Sequence, residues 1–316
     1  MSSKDLDFRL EIRRMNFDEI EQAAKIFSSV DLNDSMSTLE TYYESDPNSF
    51  TVALDKDSDK VIGSCASPLT THQTHFLGLY VVEPRYQGLG IGVQMFQRCL
   101  NIVGERNCGL NAVPSKLKIY RERAGFELME GRAMVIVEGH PNDLSILKGS
   151  EHLDSRYRCV RFQDLDHSED LFRKIIEFDK TVHLDDRTKL LRSMLIRPDT
   201  ITMTVIDTLD DSKPVVGYGS IHIDIINRLM LGPLYAQTDQ IAETLMCELF
   251  RAKRIDCGRN QQVAYFTMDN SIGSLRMAKD VLGLKEMARC EKVYTKYIPP
   301  FNYNYLYCCH SPDFSC

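Results

Sequence analysis

The sequence predicts a mixed α/β chain built as two similar halves, and two observations carry that prediction. The first is the run from Val82 to Gly92, which lies between an apolar strand-like segment, 75–82, and a segment of helical periodicity, 90–105, carrying Val93, Phe96, Leu100 and Val103. The second is that the same order of strand-like and helical segments returns after residue 156, without the glycine-rich run.

The elements follow in order. Strand-like residues 8–12 lead into a helical stretch at 17–28 and a variable segment at 30–46. Strands are expected at 49–55, 60–67 and 75–83, then the glycine run and its helix, a strand at 108–113 and a helix at 116–124. Strands at 126–129 and 132–138 complete a mixed layer. Residues 139–155 are rich in Pro, Asn, Asp, Ser and Gly without periodicity, which marks a linker. The expected units are therefore 1–140, a linker at 141–155, and 156–316. In the second unit, 157–162, 201–207 and 215–223 read as strands and 168–180 as a helix. The run Gly232-Pro233-Leu234-Tyr235-Ala236 precedes an amphipathic helix at 238–253 with Ile241, Leu245, Leu249 and Ala252 on one face.

A chain of 316 residues that is 43% apolar can fill two ordinary cores. A formal charge of −7 without a Lys/Arg block excludes general nucleic-acid binding. No apolar run approaches the roughly 20 residues that span a bilayer. Ten cysteines without C-x-x-C pairs, and first residues without a signal-peptide core, lead to an expectation of reduced thiols in a soluble cytoplasmic protein. His72-x-x-His75 and Cys308-Cys309-His310 lack companion ligands, so no metal is expected. Cys99 and Cys108 read as core thiols, and Asp185-Asp186 as a helix cap.

The glycine run carries the chemistry. Gly88, Gly90 and Gly92 leave successive N–H groups free to converge on one anion at a helix N-terminus, with Gln87, Leu89 and Ile91 interleaved. A phosphorylated cofactor is the expected guest. A P-loop would need Lys-Ser or Lys-Thr after its last glycine, and Val93-Gln94 stands there. A dinucleotide fingerprint needs its third glycine one place later and an acidic residue near the end of the next strand; neither is present.

Gln87-x-x-Gly90-x-Gly92, preceded by Val82-x-Pro84, resembles the acetyl-CoA signature of the GNAT acetyltransferase superfamily. Residues 46–53 and 61–64 resemble the second and third GNAT strands, and Leu110-Asn111-Ala112-Val113-Pro114 and Gly125-Phe126 the fifth strand and the turn after the last helix. The resemblance covers residues 8–139. It implies acetyl-CoA as cosubstrate, held by the backbone of Tyr80, Val81 and Val82, by residues Gln87 to Gly92, and by Asn111 on the pantetheine amide. It also implies that the Tyr80 N–H polarises the thioester oxygen where the fourth and fifth strands splay. The family's strand-four base position falls on Phe76, which leaves His75 as a catalytic candidate beside it. Its helical Tyr acid falls one residue off register, so Tyr120 is the candidate acid and Arg121 its rival.

The second half is a degenerate repeat, because Pro233 removes a backbone donor where an anion would need one. It resembles the second domain of YitH-type proteins, a tandem architecture expanded in nematodes. The expectation is two fused GNAT-like domains in an α/β (α+β mixed sheet) fold, the first catalytic and the second shaping the acceptor site with His183, Asp186, Arg187 and Tyr235. The function expected is N-acetyl transfer from a CoA thioester to a small amine, with no nucleic-acid or membrane partner. A protein N-acetyltransferase and a non-catalytic acyl-CoA sensor are the alternatives, and the oligomeric state is left open.

Overall fold

A computed structural model of the chain describes residues 8–314, except 31, 33, 166–168, 211, 213 and 254–260. The first half runs β1 (Leu10–Arg14), α1 (Ile20–Ser28), α2 (Met36–Ser45), β2 (Phe50–Asp55), β3 (Lys60–Ala66), β4 (Thr74–Val82), α3 (Ile91–Val103), β5 (Asn107–Ala112), α4 (Pro114–Ala124) and β6 (Leu128–Gly139). The second runs β7 (Tyr157–Arg161), α5 (Glu169–His183), α6 (Thr188–Leu195), β8 (Ile201–Asp207), β9 (Val215–Ile223), β10 (Leu229–Ala236), α7 (Asp239–Lys253), β11 (Val263–Met268), α8 (Ile272–Arg276), β12 (Lys285–Tyr294) and β13 (Leu306–Cys308).

Local chemistry sets the helix ends. Ser35 caps α2 by accepting the Thr38 N–H at 2.9 Å, so the segment read as variable holds a helix. Proline opens α4 and left-handed Gly125 closes it, the usual division of labour between these residues.

All the strands belong to one sheet, ordered β1-β2-β3-β4-β5-β12-β6-β11-β10-β9-β8-β7, with β13 paired to β10 off this path. The centre of that order is an exchange. β12, from the end of the second half, lies between β5 and β6 of the first. The C-terminal part of β6 in turn pairs with β11, from Met134 opposite Met268 to Gly139 opposite Val263. Residues 1–140 therefore do not contain the complete sheet of the first half. The strands expected separately at 126–129 and 132–138 are one strand, β6. Gly131, at φ +74°, lets the chain bulge within β6 where a break between two strands was expected, and the β12 register shifts across it. The segment 141–155 is docked: Leu147 is buried in the core under α7, and the Ser150 N–H donates to Glu248.

Four cores result, one on each face of each half. α1 and α2 cover one face of the first half and α3 and α4 the other. α5 and α6 cover one face of the second half, α7 and α8 the other. α2 and α6 meet across the halves, where Ser193 Oγ donates to Glu44 and Arg197 pairs with both Glu40 and Glu44. At the exchange, buried Lys292 of β12 lies 3.8 Å from buried Glu130 of β6, which also accepts from Tyr294 Oη at 3.2 Å.

Candidate active site

The glycine loop joins β4 to α3. Gln87 Nε2 donates back to the Val82 carbonyl at 2.9 Å, pinning the loop to the strand it leaves. Gly88 and Gly90 take φ of +87° and +77°, and Gly90 is the N-cap of α3. A Cβ at either position would meet nothing within 4 Å, so the loop opens onto free space in front of a helix N-terminus whose first turn carries no acid. A pyrophosphate fits such a donor set in charge and shape. Gly92 has another reason to be glycine: a Cβ there would lie 2.7 Å from Tyr80 Oη, so its absence lets α3 pack onto β4.

Beside the loop the sheet opens. The parallel β4–β5 ladder runs from Thr74 opposite Asn107 to Leu77 opposite Leu110 and stops. On the other edge, Ala66 faces Gly78 and Ser64 faces Val81, so Leu79 and Tyr80 together oppose Cys65. This is a β-bulge with Leu79 at φ +48°, a conformation uncommon for a non-glycine residue. It reverses the alternation of the strand. Leu77 packs toward α3, whereas Leu79 and Val81 pack toward α1 and α2. Tyr80 falls at the skipped position, beyond the last β4–β5 pair, and its ring lies 5.5 Å from Phe96 of α3.

Phe96 also stacks on Tyr120 at 5.9 Å, and Phe126 closes the cluster edge-on. Tyr120 thus turns inward on the α3 face, and desolvation pushes its hydroxyl up to about 12. Arg121 is exposed. His75 is buried, pairs in register with Cys108, and shares Nδ1 with the Ser67 carbonyl at 2.7 Å; burial lowers its pKa. The adjacent Phe76 faces the opposite side. Asn111 donates its Nδ2 to the Pro312 carbonyl at 2.7 Å, and its Oδ1 is buried without a hydrogen-bond partner among the described residues.

On that opposite side, a pocket between the halves is lined by Thr74, Phe76, His183, Lys292, Tyr294 and Phe301. Of the acceptor-site residues expected from the second half, only His183 reaches it. His183 Nε2 lies 3.2 Å from Tyr235 Oη, and burial, with the Arg187 charge, holds its pKa well below the usual range. Arg187 and Tyr235 are buried behind it. Asp179 accepts from Arg187 at 2.7 Å and from Tyr218 Oη at 2.6 Å. Burial would raise the Asp179 carboxyl, but Arg187, His183 and Tyr218 outweigh that and hold it below its ordinary value. These residues support His183 from below. Asp186 lies apart: one residue ahead of Arg187, the N-cap of α6, it accepts the Thr188 N–H at 2.8 Å and pairs with Lys180.

The corresponding opening of the second half is filled by the chain itself. β10 and β11 are paired from Leu229 to Leu231, and beyond them β13 pairs with β10, while the Cys309 N–H donates to the Phe266 carbonyl of β11. Gln237 and Thr238 make up the β10–α7 connection, and Asp239 places a carboxylate in the first turn of α7, where it would repel an anion. Lys292, Tyr294 and Phe301, which the sequence did not mark as pocket residues, belong to β12 and the segment after it. Only the strand exchange brings them to the pocket. Among the described residues no cluster of His, Cys, Asp and Glu suits a metal ion.

Residues 17–126 match the model of the Acetyltransferase (GNAT) family, and residues 175–308 that of an Acetyltransferase (GNAT) domain. No curated protein matches the chain in sequence. Similar solved structures include a candidate acetyltransferase from Pyrococcus horikoshii, 19% identical with a TM-score of 0.70 over 99% of each chain. A tandem GNAT protein from the clavulanic acid biosynthesis pathway is 12% identical, with a TM-score of 0.60 over 90% of this chain and 98% of that one. A GCN5-related N-acetyltransferase from Sphaerobacter thermophilus is 13% identical, with a TM-score of 0.58 over 93% and 97% of the two chains. The two matched segments, the open glycine cradle at α3 and the splay of β4 from β5 agree in one assignment: the chain belongs to the GNAT acetyltransferase superfamily and carries two GNAT domains in tandem.

Proposed function

We propose that the protein transfers an acetyl group from acetyl-CoA to a small amine, using one cofactor site, in the first half. The observation that carries this reading is the asymmetry of the two openings. The first has a left-handed glycine cradle at the start of a long helix, whereas the second is filled by β13 and faced by Asp239.

Acetyl-CoA supplies an activated acyl group on a thioester. The chain's part is to hold and polarise it. The N–H groups at Gly88 to Gly92 receive the pyrophosphate. The Tyr80 N–H, at the bulge, donates to the carbonyl oxygen, and Val82 and Asn111 hold the pantetheine arm. Tyr120 returns a proton to sulfur; its raised pKa keeps the hydroxyl protonated and ready to donate. His75 lies across the sheet from the pocket and takes no part in this reading.

A small acceptor is favoured because the pocket lies between the halves and is walled by Phe76, Tyr294 and Phe301, with His183 and Lys292 as the basic side chains of its lining. Incubation of the full chain with labelled acetyl-CoA and a panel of amines and peptides, read by mass spectrometry, tests the reading. Acetylated small amines are expected. Acetylated peptides alone would move the assignment to protein N-acetylation, and tight CoA binding with no product at all would leave an acyl-CoA sensor.

A further inference from the structure

After β13 the chain crosses from the second half to the first. His310 Nδ1 lies 3.3 Å from Tyr42 Oη, and Ser311 Oγ donates to Asp34 at 2.6 Å. The Pro312 carbonyl takes the Asn111 amide, and Phe314 is buried against Tyr42 at 4.6 Å between ring centres. Between these anchors Asp313 lies on β4. A Cβ added to Gly78 would come within 2.6 Å of the Asp313 carbonyl oxygen and 2.9 Å of its Cβ, so the close approach exists only because residue 78 is glycine. The Leu79 N–H points at Asp313 Oδ1 at 3.4 Å.

These contacts set a carboxylate between two landmarks of β4. Phe76, two residues before Gly78, lines the acceptor pocket at the strand position where a base is absent. Tyr80, two residues after it, is the bulge residue beyond the last β4–β5 pair. We propose that Asp313 is the acceptor-side catalytic carboxylate, which receives the amine as an ammonium ion and takes its proton. The inference rests on the acetyl-transfer reading above and names its acceptor class, a primary amine that is cationic at neutral pH. In the step, the amine nitrogen bonds to the acetyl carbon and the thioester C–S bond breaks. One ammonium proton passes to Asp313 before attack, the sulfur leaves with the C–S electron pair and is protonated from Tyr120, and the proton that the nitrogen sheds as the amide forms restores the Tyr120 hydroxyl.

The surroundings suit the role. Desolvation and the neighbouring Asp34 hold the Asp313 carboxyl well above the usual carboxylate range, and Asp34 itself is pushed up to about 7, chiefly by desolvation. A carboxylate of raised basicity is a better match for an amine proton than an ordinary one, and an arriving cation relieves the repulsion between the two acids.

The test uses the full chain with an amine that the wild type acetylates. In D313N, kcat is expected to fall by about 10²-fold or more, with acetyl-CoA affinity by calorimetry within about twofold of wild type. In D313A, added formate or acetate is expected to restore part of the lost kcat, which a merely structural aspartate would not show. G78A keeps the carboxylate but pushes the 312–314 segment off the strand, and is expected to lower kcat by about 10²-fold through misplacement alone. Wild-type kcat in D313N overturns the proposal. Faster turnover in D313N or G78A also overturns it and makes the segment a plug over the site. Should the wild type acetylate no amine at all, the acetyl-transfer reading falls, and this proposal with it. An unaffected D313N beside an active wild type sinks only the proposal.

Discussion

Val293 of β12 lies directly opposite Leu110 of β5, in an antiparallel ladder that also sets Tyr294 against Gly109 and Lys292 against Asn111. The strand that completes the sheet of the first half thus arrives from the far end of the chain, across the whole second half. Gly109 accommodates it: a Cβ there would lie 2.6 Å from the Tyr294 ring and 2.8 Å from the Phe76 ring.

A first prediction follows from that exchange. A fragment ending at residue 150 leaves β5 unpaired on its β12 side and β6 without both neighbours, β12 and β11. Bared strand edges and apolar faces such as those of Val135 and Val137, buried in the core under α7, drive association. The fragment is expected to aggregate, or to elute as a misassembled oligomer, and adding residues 151–316 as a separate chain is expected to rescue it. Size-exclusion chromatography with calorimetry checks this. A monomeric fragment that binds CoA as the full chain does would show that β12 is dispensable.

Gly90→Val should separate binding from folding. The position is open, so no side-chain clash arises, but a β-branched residue at φ +77° costs about 1–2 kcal/mol of stability. The added side chain projects into the space assigned to pyrophosphate. Loss of CoA binding by calorimetry is expected, with a folded protein a few degrees less stable. Unchanged affinity would remove the pyrophosphate from this loop.

Tyr120→Phe removes one hydroxyl and keeps the stack on Phe96. If the hydroxyl protonates the leaving sulfur, kcat falls by roughly 10²-fold or more while CoA affinity holds. Arg121→Ala, at an exposed position, is expected to leave kcat within about twofold, since a surface side chain off the site has little leverage. A fall in the Arg121 variant and none in the Tyr120 variant would reverse the assignment.

How legible this was depended on how local the cause was. The glycine loop and its flanking strand and helix could be read because their signal is contiguous: Gly88, Gly90 and the periodicity of Phe96 and Leu100 fall within about a dozen residues of chain. α2 escaped because its apolar stripe is weak and its polar residues, Ser37, Thr38 and Thr41, are buried between the halves, where composition alone suggests exposure. The exchange of β12 was illegible for a different reason. A strand pattern fixes which residues share a face but does not name the partner, and β12 pairs across more than a hundred residues. Asp313 did have a signal, the glycine at 78 inside an apolar strand, which marks a close backbone approach without saying whose backbone comes near.

The last prediction concerns acid. His222 of β9 is buried, and its Nε2 lies 3.3 Å from Thr38 Oγ1 of α2, so it joins the halves. Burial lowers its pKa from 6.5 to about 4; Asp199 opposes that shift, and Lys253 reinforces it. The ring of His310, also held neutral by burial, lies 5.9 Å away. In the unfolded chain His222 takes up a proton near pH 6.5, whereas the folded chain resists it until about pH 4. Stability from this residue is therefore full above pH 6.5 and lost as pH falls toward 4, by on the order of 3 kcal/mol over the window. His222→Gln keeps a hydrogen-bonding group for Thr38 but does not titrate. Thermal melts from pH 7 to 4.5 are expected to show a shallower decline for the variant than for wild type, even if its stability at pH 7 is lower. Parallel declines for the two proteins would mean that His222 is protonated as readily in the folded chain as in the unfolded one, and that the acid sensitivity of this interface lies elsewhere.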